Sequence, residues 1–359
     1  LTALNLKNVR IKGLNVKTDF IGYMVGGIMY HDGEAKDDVL PPYCLGDKKT
    51  LTSVVLPDVL KRIERSAFTR SGLKGSLNIP EGVVEIGDEA FARSDFTGVL
   101  TLPSTLKTIG GGAFRECCFI CPLNLPDGIE ELGYSCFYDC RYLYGNLILP
   151  SHLKKMGSST FRGCTGFKGD LVIPKSLTVI SSDAFNACGL GGRLQLHDGI
   201  TTIESGAFSN NGFIGELELP KSLTKLGSGN FVGNNFSGSL KIPKGLTSFS
   251  YEAFAYNTFA GEVEIPDGVT YINKRAFAES ENLQKVILPS TLVVIDDYAF
   301  ENCKSLRVIE CKSIVPPLVN YRAFNGVPLE DLSVIVPKSA LNDYKSSDFW
   351  SDLLLKTVE

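Results

Sequence analysis

Three groupings of side chains in this sequence are of types that do chemistry. The first is acidic: Glu216 with Glu218, and Glu262 with Glu264, are spaced two apart. Two carboxylates flanking one bond are what glycoside hydrolysis needs, one as acid and one as base or nucleophile. The second is thiol: ten cysteines, with Cys117-Cys118-x-x-Cys121 laid out like half of a zinc site. The third is His31, His152 and His197, the only side chains that ordinarily titrate near neutral pH. A G-x-S-x-G elbow, a phosphate loop and a dinucleotide fingerprint are all missing from the sequence. Whether any of these groups meet depends on the elements that carry them.

Those elements repeat. A proline follows a short apolar alternation at Pro57, Pro80, Pro103, Pro126, Pro150, Pro174, Pro220, Pro243, Pro266 and Pro289, with His197 in one slot. Successive anchors are 23 residues apart, except that Pro126, Pro150 and Pro174 are 24 apart. Eleven residues after every anchor stands a phenylalanine, from Phe68 and Phe91 through Phe208 to Phe300. The period predicts a tandem array, which also explains how 359 residues can share one extended core. Before each anchor, pairs such as Leu77 and Ile79 or Leu217 and Leu219 put two side chains on one face of a strand. Proline, which has no N–H to donate, then ends the strand. Apolar residues three and six after the anchor (Leu106 and Ile109, Ile200 and Ile203) and an Ala-Phe pair complete the core of each turn. A single turn buries too little apolar surface to offset the ordering of its backbone, so turns must stack.

This register reassigns most of the chemistry. Cys117, Cys140, Cys164, Cys188 and Cys303 all stand three residues after the repeat phenylalanine, where other turns carry Asn211, Asn234, Asn257, Ser71, Ser94 or Ser280. Interchange of Cys, Asn and Ser predicts an inward ladder that hydrogen-bonds loop backbone, with free thiols. Cys118 and Cys121 stand off that ladder and are available to pair, while no second pair at zinc spacing exists. His197 occupies a proline slot and reads as a tolerated substitution.

Residues four and two before each anchor point away from the core onto an open sheet face. In the later turns these are Arg193 and Gln195, Glu216 and Glu218, Ser239 and Lys241, Glu262 and Glu264, then Lys285 and Ile287. Earlier turns carry neutral residues there, including Ser76, Asn78, Val99, Thr101 and Asn124. At a strand separation of about 4.8 Å, Glu218 and Glu264 lie roughly 10 Å apart, near the spacing of an inverting glycosidase. Lys241 stands between them, however, and a Glu-Lys-Glu row is what cross-strand pairing on a solvated sheet produces. The reading is therefore non-catalytic, with neither metal nor cofactor. The candidate partner-binding residues are Arg193, Gln195, Glu216, Glu218, Lys241, Glu262, Glu264 and Lys285. An alternative patch is Tyr134, Tyr138, Tyr142 and Tyr144, four tyrosines crowded into one 24-residue turn; tyrosine favours interfaces.

The unit L-x-I-P-x-x-L-x-x-I-x-x-x-A-F-x-x-C/N resembles the BspA-type leucine-rich repeat of bacterial cell-surface proteins, strongly over about 45–312. That resemblance implies an α/β repeat solenoid: a right-handed superhelix of about thirteen 23-residue turns. One parallel β-sheet would line its concave face, with irregular or 3₁₀ turns on the convex face. Residues 1–50 are expected to cap the start and to include a degenerate repeat. Residues 51–312 would form the tandem array. Residues 313–359 would cap the end with a last strand and a short helix beginning near Ser339, all in one continuous solenoid. Departures from the pattern are His197 for proline, Phe249 for isoleucine and Cys44 for phenylalanine, and Phe20 to Asp38 matches nothing in it.

The resemblance also implies export, with a signal or lipid anchor upstream, a place on the cell surface, and a role in adhesion or recognition. The expected partner is a protein or glycan on a host or neighbouring cell, bound by a monomer; a passive spacer or assembly scaffold is the competing role. A net charge of -4 gives phosphate no dense field of Lys and Arg, which excludes nucleic acid. No uncharged apolar run is long enough to span a bilayer.

Overall fold

The computed structural model describes residues 2–8, 10–14, 23–25, 28–32 and 38–357. The chain is a parallel-strand solenoid of about 14 turns with little helix. By contacts it divides into two compact units: Leu1–Leu177 with Ala184–Leu190, and Thr178–Asp183 with Gly191–Glu359.

In the first unit the strands before the anchors are short. Ala3–Asn5 pairs with Ser53–Val55, and Leu77–Asn78 with Leu100–Thr101, both in parallel. In the second unit the same register makes a six-stranded parallel sheet: Leu240–Lys241, Gly261–Glu264, Leu283–Leu288, Val308–Cys311, Ser333–Val336 and Leu354–Thr357. A second ladder was not anticipated from the sequence. It runs through residues five and six after each anchor, and in the first unit it joins six strands, Val39–Leu40, Arg62–Ile63, Glu85–Ile86, Thr108–Ile109, Glu131–Leu132 and Lys155–Met156. Its inward members, Ile63, Ile86, Ile109 and Leu132, are fully buried.

Between the two ladders the chain makes a tight turn, and this explains the anchor. Leu60, Leu106 and Leu223 donate their N–H to the carbonyl of Pro57, Pro103 and Pro220, and Ile200 donates to that of His197. The anchor contributes a carbonyl oxygen, which histidine supplies as well as proline does.

The Ala-Phe segment is neither α nor 3₁₀. It is a run of turns in which the residues two before and two after each phenylalanine adopt left-handed backbone: Glu89 and Arg93 around Phe91 (φ 54° and 56°), and Ser135 and Asp139 around Phe137 (φ 51° and 57°). Such angles cost non-glycine residues of order 1 kcal/mol or more. They persist because alternate N–H groups then point at the following turn. Glu89, Phe91 and Arg93 donate to the carbonyls of Gly111, Ala113 and Arg115, each at 2.8 Å. Leu45 donates to the carbonyl of Ala67 as Phe68 does to that of Ala90, so Leu45 fills the phenylalanine slot of the degenerate repeat. Cys44 fills the alanine slot, as Cys136 does before Phe137.

The phenylalanines form stacked columns. In the first unit Phe68–Phe91 and Phe91–Phe114 have centroids 5.1 and 5.5 Å apart and nearly parallel planes; in the second, Phe277–Phe300 are 5.4 Å apart. A second column, overlooked in the sequence, lies edge-on to the first: Phe96–Phe119 in one unit and Phe213–Phe236 in the other.

Behind the columns runs the predicted ladder. Cys117, Cys140, Cys164 and Cys188 are buried free thiols that donate to the carbonyls of Phe91, Phe114, Phe137 and Phe161 one turn earlier, at 2.9–3.1 Å. Asn234 and Asn257 do the same toward Phe208 and Phe231 through Nδ2, and their Oδ1 also accepts the N–H of Phe213 and Phe236. Burial pushes the Cys117 thiol up to about 12, and those of Cys140, Cys164 and Cys188 well above their ordinary value.

At the C-terminal end Phe324 continues the column from Phe300, and Phe349 closes it at 5.2 Å from Phe324. Tyr344 and Trp350 are buried beside it; Tyr344 donates to the Ser313 carbonyl and Trp350 to that of Pro317. The short helix Leu341–Lys345 follows a 3₁₀ turn at Lys338–Ala340, close to the predicted start. Near the other end, Arg10–Leu14 pairs in parallel with Ile28–Asp32, which pairs antiparallel with Tyr23–Val25. The rest of the unplaced stretch from Phe20 lies outside the described residues up to Asp38.

Candidate recognition surface

The outward face of the anchor ladder in the second unit holds the charged residues. Leu194, Leu217, Leu240 and Val263 point inward and are buried, while Arg193, Gln195, Glu216, Glu218, Lys241 and Glu264 alternate outward and are exposed. Glu262 and Lys285 are half-buried. The register sets Glu218 opposite Lys241 and Lys241 opposite Glu264, so a lysine does separate the two carboxylates.

Part of this face neutralises itself. Lys285 bridges Glu262 and Glu310 at 3.1 and 3.0 Å, and its ammonium is held above its ordinary pKa chiefly by the Glu310 hydrogen bond. Lys312, standing in an anchor slot, reaches Glu264 at 3.0 Å. Partly exposed pairs of this kind contribute little to stability. Glu216, Glu218 and Lys241 differ: none of them forms an ion pair among the described residues. Glu216 and Glu218 line a hollow of about 640 Å³ together with Arg193, Gln195, Gly215 and Gly238. Gly215 and Gly238 both have left-handed backbone (φ 82° and 75°), and a Cβ at Gly238 would fall 2.9 Å from Cγ of Glu216. These glycines keep the hollow open.

The corresponding face of the first unit carries Val55, Val99, Ile148 and Val172, all exposed, with Ile148 at 73%. The four tyrosines of the long turn stand on different parts of it. Tyr134 follows the second ladder. Tyr138, half-buried on the turn side, lies under the Arg115 guanidinium at 5.0 Å. Tyr142 is exposed in the inserted loop, and Tyr144 bridges to Pro122 beside the anchor ladder.

His152 is exposed and sits 3.3 Å from Asp127, and His197 is half-buried at its turn; His31 lies in a strand whose side chains are outside the described residues. Cys118 is half-buried and Cys121 buried, both as free thiols. Among the described residues no three His, Cys, Asp or Glu side chains are grouped to hold a metal ion, and no helix is long and apolar enough to cross a membrane.

Stacked turns of 23 residues, a parallel ladder ending at an anchor and an inward Cys/Asn/Ser column define a leucine-rich-repeat protein. The chain belongs to the family described as the BspA type leucine rich repeat region, whose model matches in residues 39–168, 143–260 and 253–358. A leucine-rich repeat protein from Bacteroides ovatus shares the fold, with a TM-score of 0.62 at 22% identity over 97% of this chain and 92% of that one. Also similar are a leucine rich cell surface protein from Faecalibacterium prausnitzii (TM-score 0.45, 17% identity, 100% of this chain and 87% of that one) and the pneumococcal vaccine antigen PcpA (TM-score 0.38, 18% identity, 94% and 75%). No curated protein matches the chain.

Proposed function

We propose that this chain is a non-catalytic recognition module of the bacterial cell surface. It binds a protein or glycan partner on a host or neighbouring cell through the outward face of the anchor ladder in the second unit. The observation that carries this reading is that Glu216, Glu218 and Lys241 form no ion pair among the described residues. Charges that serve only solubility gain from neighbouring opposite charges, as Glu262, Lys285 and Glu310 do. Charges outside any such ion pair, beside an open hollow, can pair with a ligand, and complementary charge governs specificity and encounter rate more than raw affinity. Arg193, Gln195, Glu262, Glu264 and Lys285 form the flanks of this surface. A passive spacer has no use for such a hollow. Membership of a family named for bacterial surface proteins supports the location.

The test probes purified chain against arrays of extracellular-matrix proteins and glycans, then compares the native chain with a Glu218→Lys, Lys241→Glu double variant. Loss of the captured ligand in the double variant is the expected result. Retention there, with loss on substituting Tyr138 and Tyr142, would move the site to the long turn. Capture of nothing would favour the spacer.

A further inference from the structure

A second hollow lies on the other ladder, in the first unit. It holds about 430 Å³ and spans five turns, from Glu64 to Gly157, roughly 19 Å at the usual strand separation of about 4.8 Å. Its floor is glycine: Gly87, Gly110, Gly133 and Gly157 occupy one register position in four consecutive turns. Each N–H of that row is already spent on the preceding turn, donated to Ile63, Ile86, Ile109 and Leu132 at 2.7–2.8 Å. A peptide strand therefore finds no backbone donor to add to. The apolar residues beneath, Ile86, Ile109 and Leu132, are fully buried and offer no side-chain pocket.

One apolar surface remains, the ring of Tyr134, which is 55% exposed. It lies across Gly111: a Cβ there would fall 2.6 Å from Cδ1 and 2.7 Å from Cζ of that ring. Gly111 in turn donates its N–H to Asp88 Oδ1 at 2.6 Å. The ring is thus held flat on backbone by one face. Around it the hollow is lined by Glu64, Arg65, Glu85, Asp88, Glu131 and Lys155, with Glu131 and Lys155 paired at 2.6 Å.

We infer that this hollow binds a neutral pyranose-containing oligosaccharide, with one sugar ring stacked on Tyr134. A pyranose has an apolar C–H face and a rim of hydroxyls. A single fixed aromatic ring bordered by carboxylates and an ammonium presents the complement to both, since tyrosine supplies flat contact area at low entropic cost and C–H groups favour the ring face. Arg62 pairs with Glu64 and Glu85, and Lys155 with Glu131, so the charges largely balance and no cluster of unpaired bases is left to hold a sulfated or phosphorylated sugar or a nucleotide. The site is separate from the charged sheet face and stands or falls without it.

The experiment probes an array of neutral and sulfated oligosaccharides with the full chain and two variants, Tyr134→Ala and Tyr134→Phe. The expected result is binding to neutral oligosaccharides, weakened roughly tenfold or more in Tyr134→Ala. Binding should be kept within a few-fold in Tyr134→Phe, which retains the ring. Absence of neutral-glycan binding, a preference for sulfated probes, or equal binding by Tyr134→Ala overturns the inference.

Discussion

The two units solve the same packing problem with different side chains. In the first, the buried column behind the phenylalanines is Ser71, Ser94, Cys117, Cys140, Cys164 and Cys188; in the second it includes Asn234 and Asn257. A thiol or hydroxyl offers one donor, and Cys140 uses it on the Phe114 carbonyl. An asparagine both donates and accepts: Asn234 donates to the Phe208 and Phe231 carbonyls and accepts from the Phe213 N–H. The outward faces differ too, exposed aliphatics such as Val55 and Ile148 against an array of charges. The phenylalanine column, by contrast, is the same in both. What the turns share is what makes them stack, and what differs is left to solvent, redox chemistry and partners.

The strongest test of that division is the column itself. Phe208→Ala leaves a cavity at a fully buried position and should cost about 3–5 kcal/mol, whereas Pro220→Ala, which keeps the anchor carbonyl, should cost under about 1 kcal/mol. Denaturant titration of both variants decides it, and a reversed order would mean that the anchor and not the ring holds the core.

Alkaline pH separates the units next. A thiol whose folded pKa is raised stays protonated in the native state, so its contribution is intact below the unfolded pKa, near 8.5, and is lost as pH rises toward the folded value. For Cys117 that window runs from about 8.5 to about 12. Each such thiol removes up to about 1.4 kcal/mol per pH unit within the window. Four of the shifted thiols, Cys117, Cys140, Cys164 and Cys188, stack in the first unit. Melting curves at pH 8 and pH 9.5 should show a smaller alkaline loss for a Cys140→Ser, Cys164→Ser double variant than for the parent. An equal loss in both would show that these thiols are not what titrates.

A finer comparison concerns the ladder residues. Asn234→Ala strips the Phe213 N–H and two carbonyls of their partner, and should cost about 2–3 kcal/mol. Cys140→Ala strips one carbonyl and leaves a small void, for about 1–2 kcal/mol. Equal costs would erase the distinction drawn between the two columns. The smallest effect is expected at the surface: Ile148→Lys and Glu218→Lys should each change stability by less than about 0.5 kcal/mol, and a larger loss would show that these outward positions carry packing.

Much of this was legible in the sequence because the residues that stack must recur. The proline anchor, the phenylalanine eleven residues later and the Cys/Asn/Ser slot are each held to one register by burial. The second ladder was not legible: its strands are two residues long, such as Arg62–Ile63, too short for alternation to show. The left-handed turn was only partly legible: Gly112, Gly163, Gly206 and Asp139 are types that favour it, but Glu89 and Arg93 in the same positions are not; there inter-turn hydrogen bonds impose the conformation. At the candidate surface, outward alternation was readable but pairing was not. Lys312 reaches Glu264 from 48 residues away, and Gly111 shows its purpose only with Tyr134 laid over it.

A stack of identical layers carries a hazard that globular folds avoid, since its last layer is a template for the next. Phe324, with the strand at Ser333–Val336 beside it, would present to any passing molecule the same flat ring and unpaired strand edge that one turn presents to its successor. Phe349 stacks on Phe324, with Tyr344 and Trp350 beside it, and the strand Leu354–Thr357 pairs with Ser333–Val336. Within the described residues that ring and that edge are therefore already taken, much as an adsorbed molecule takes a growth step on a crystal face.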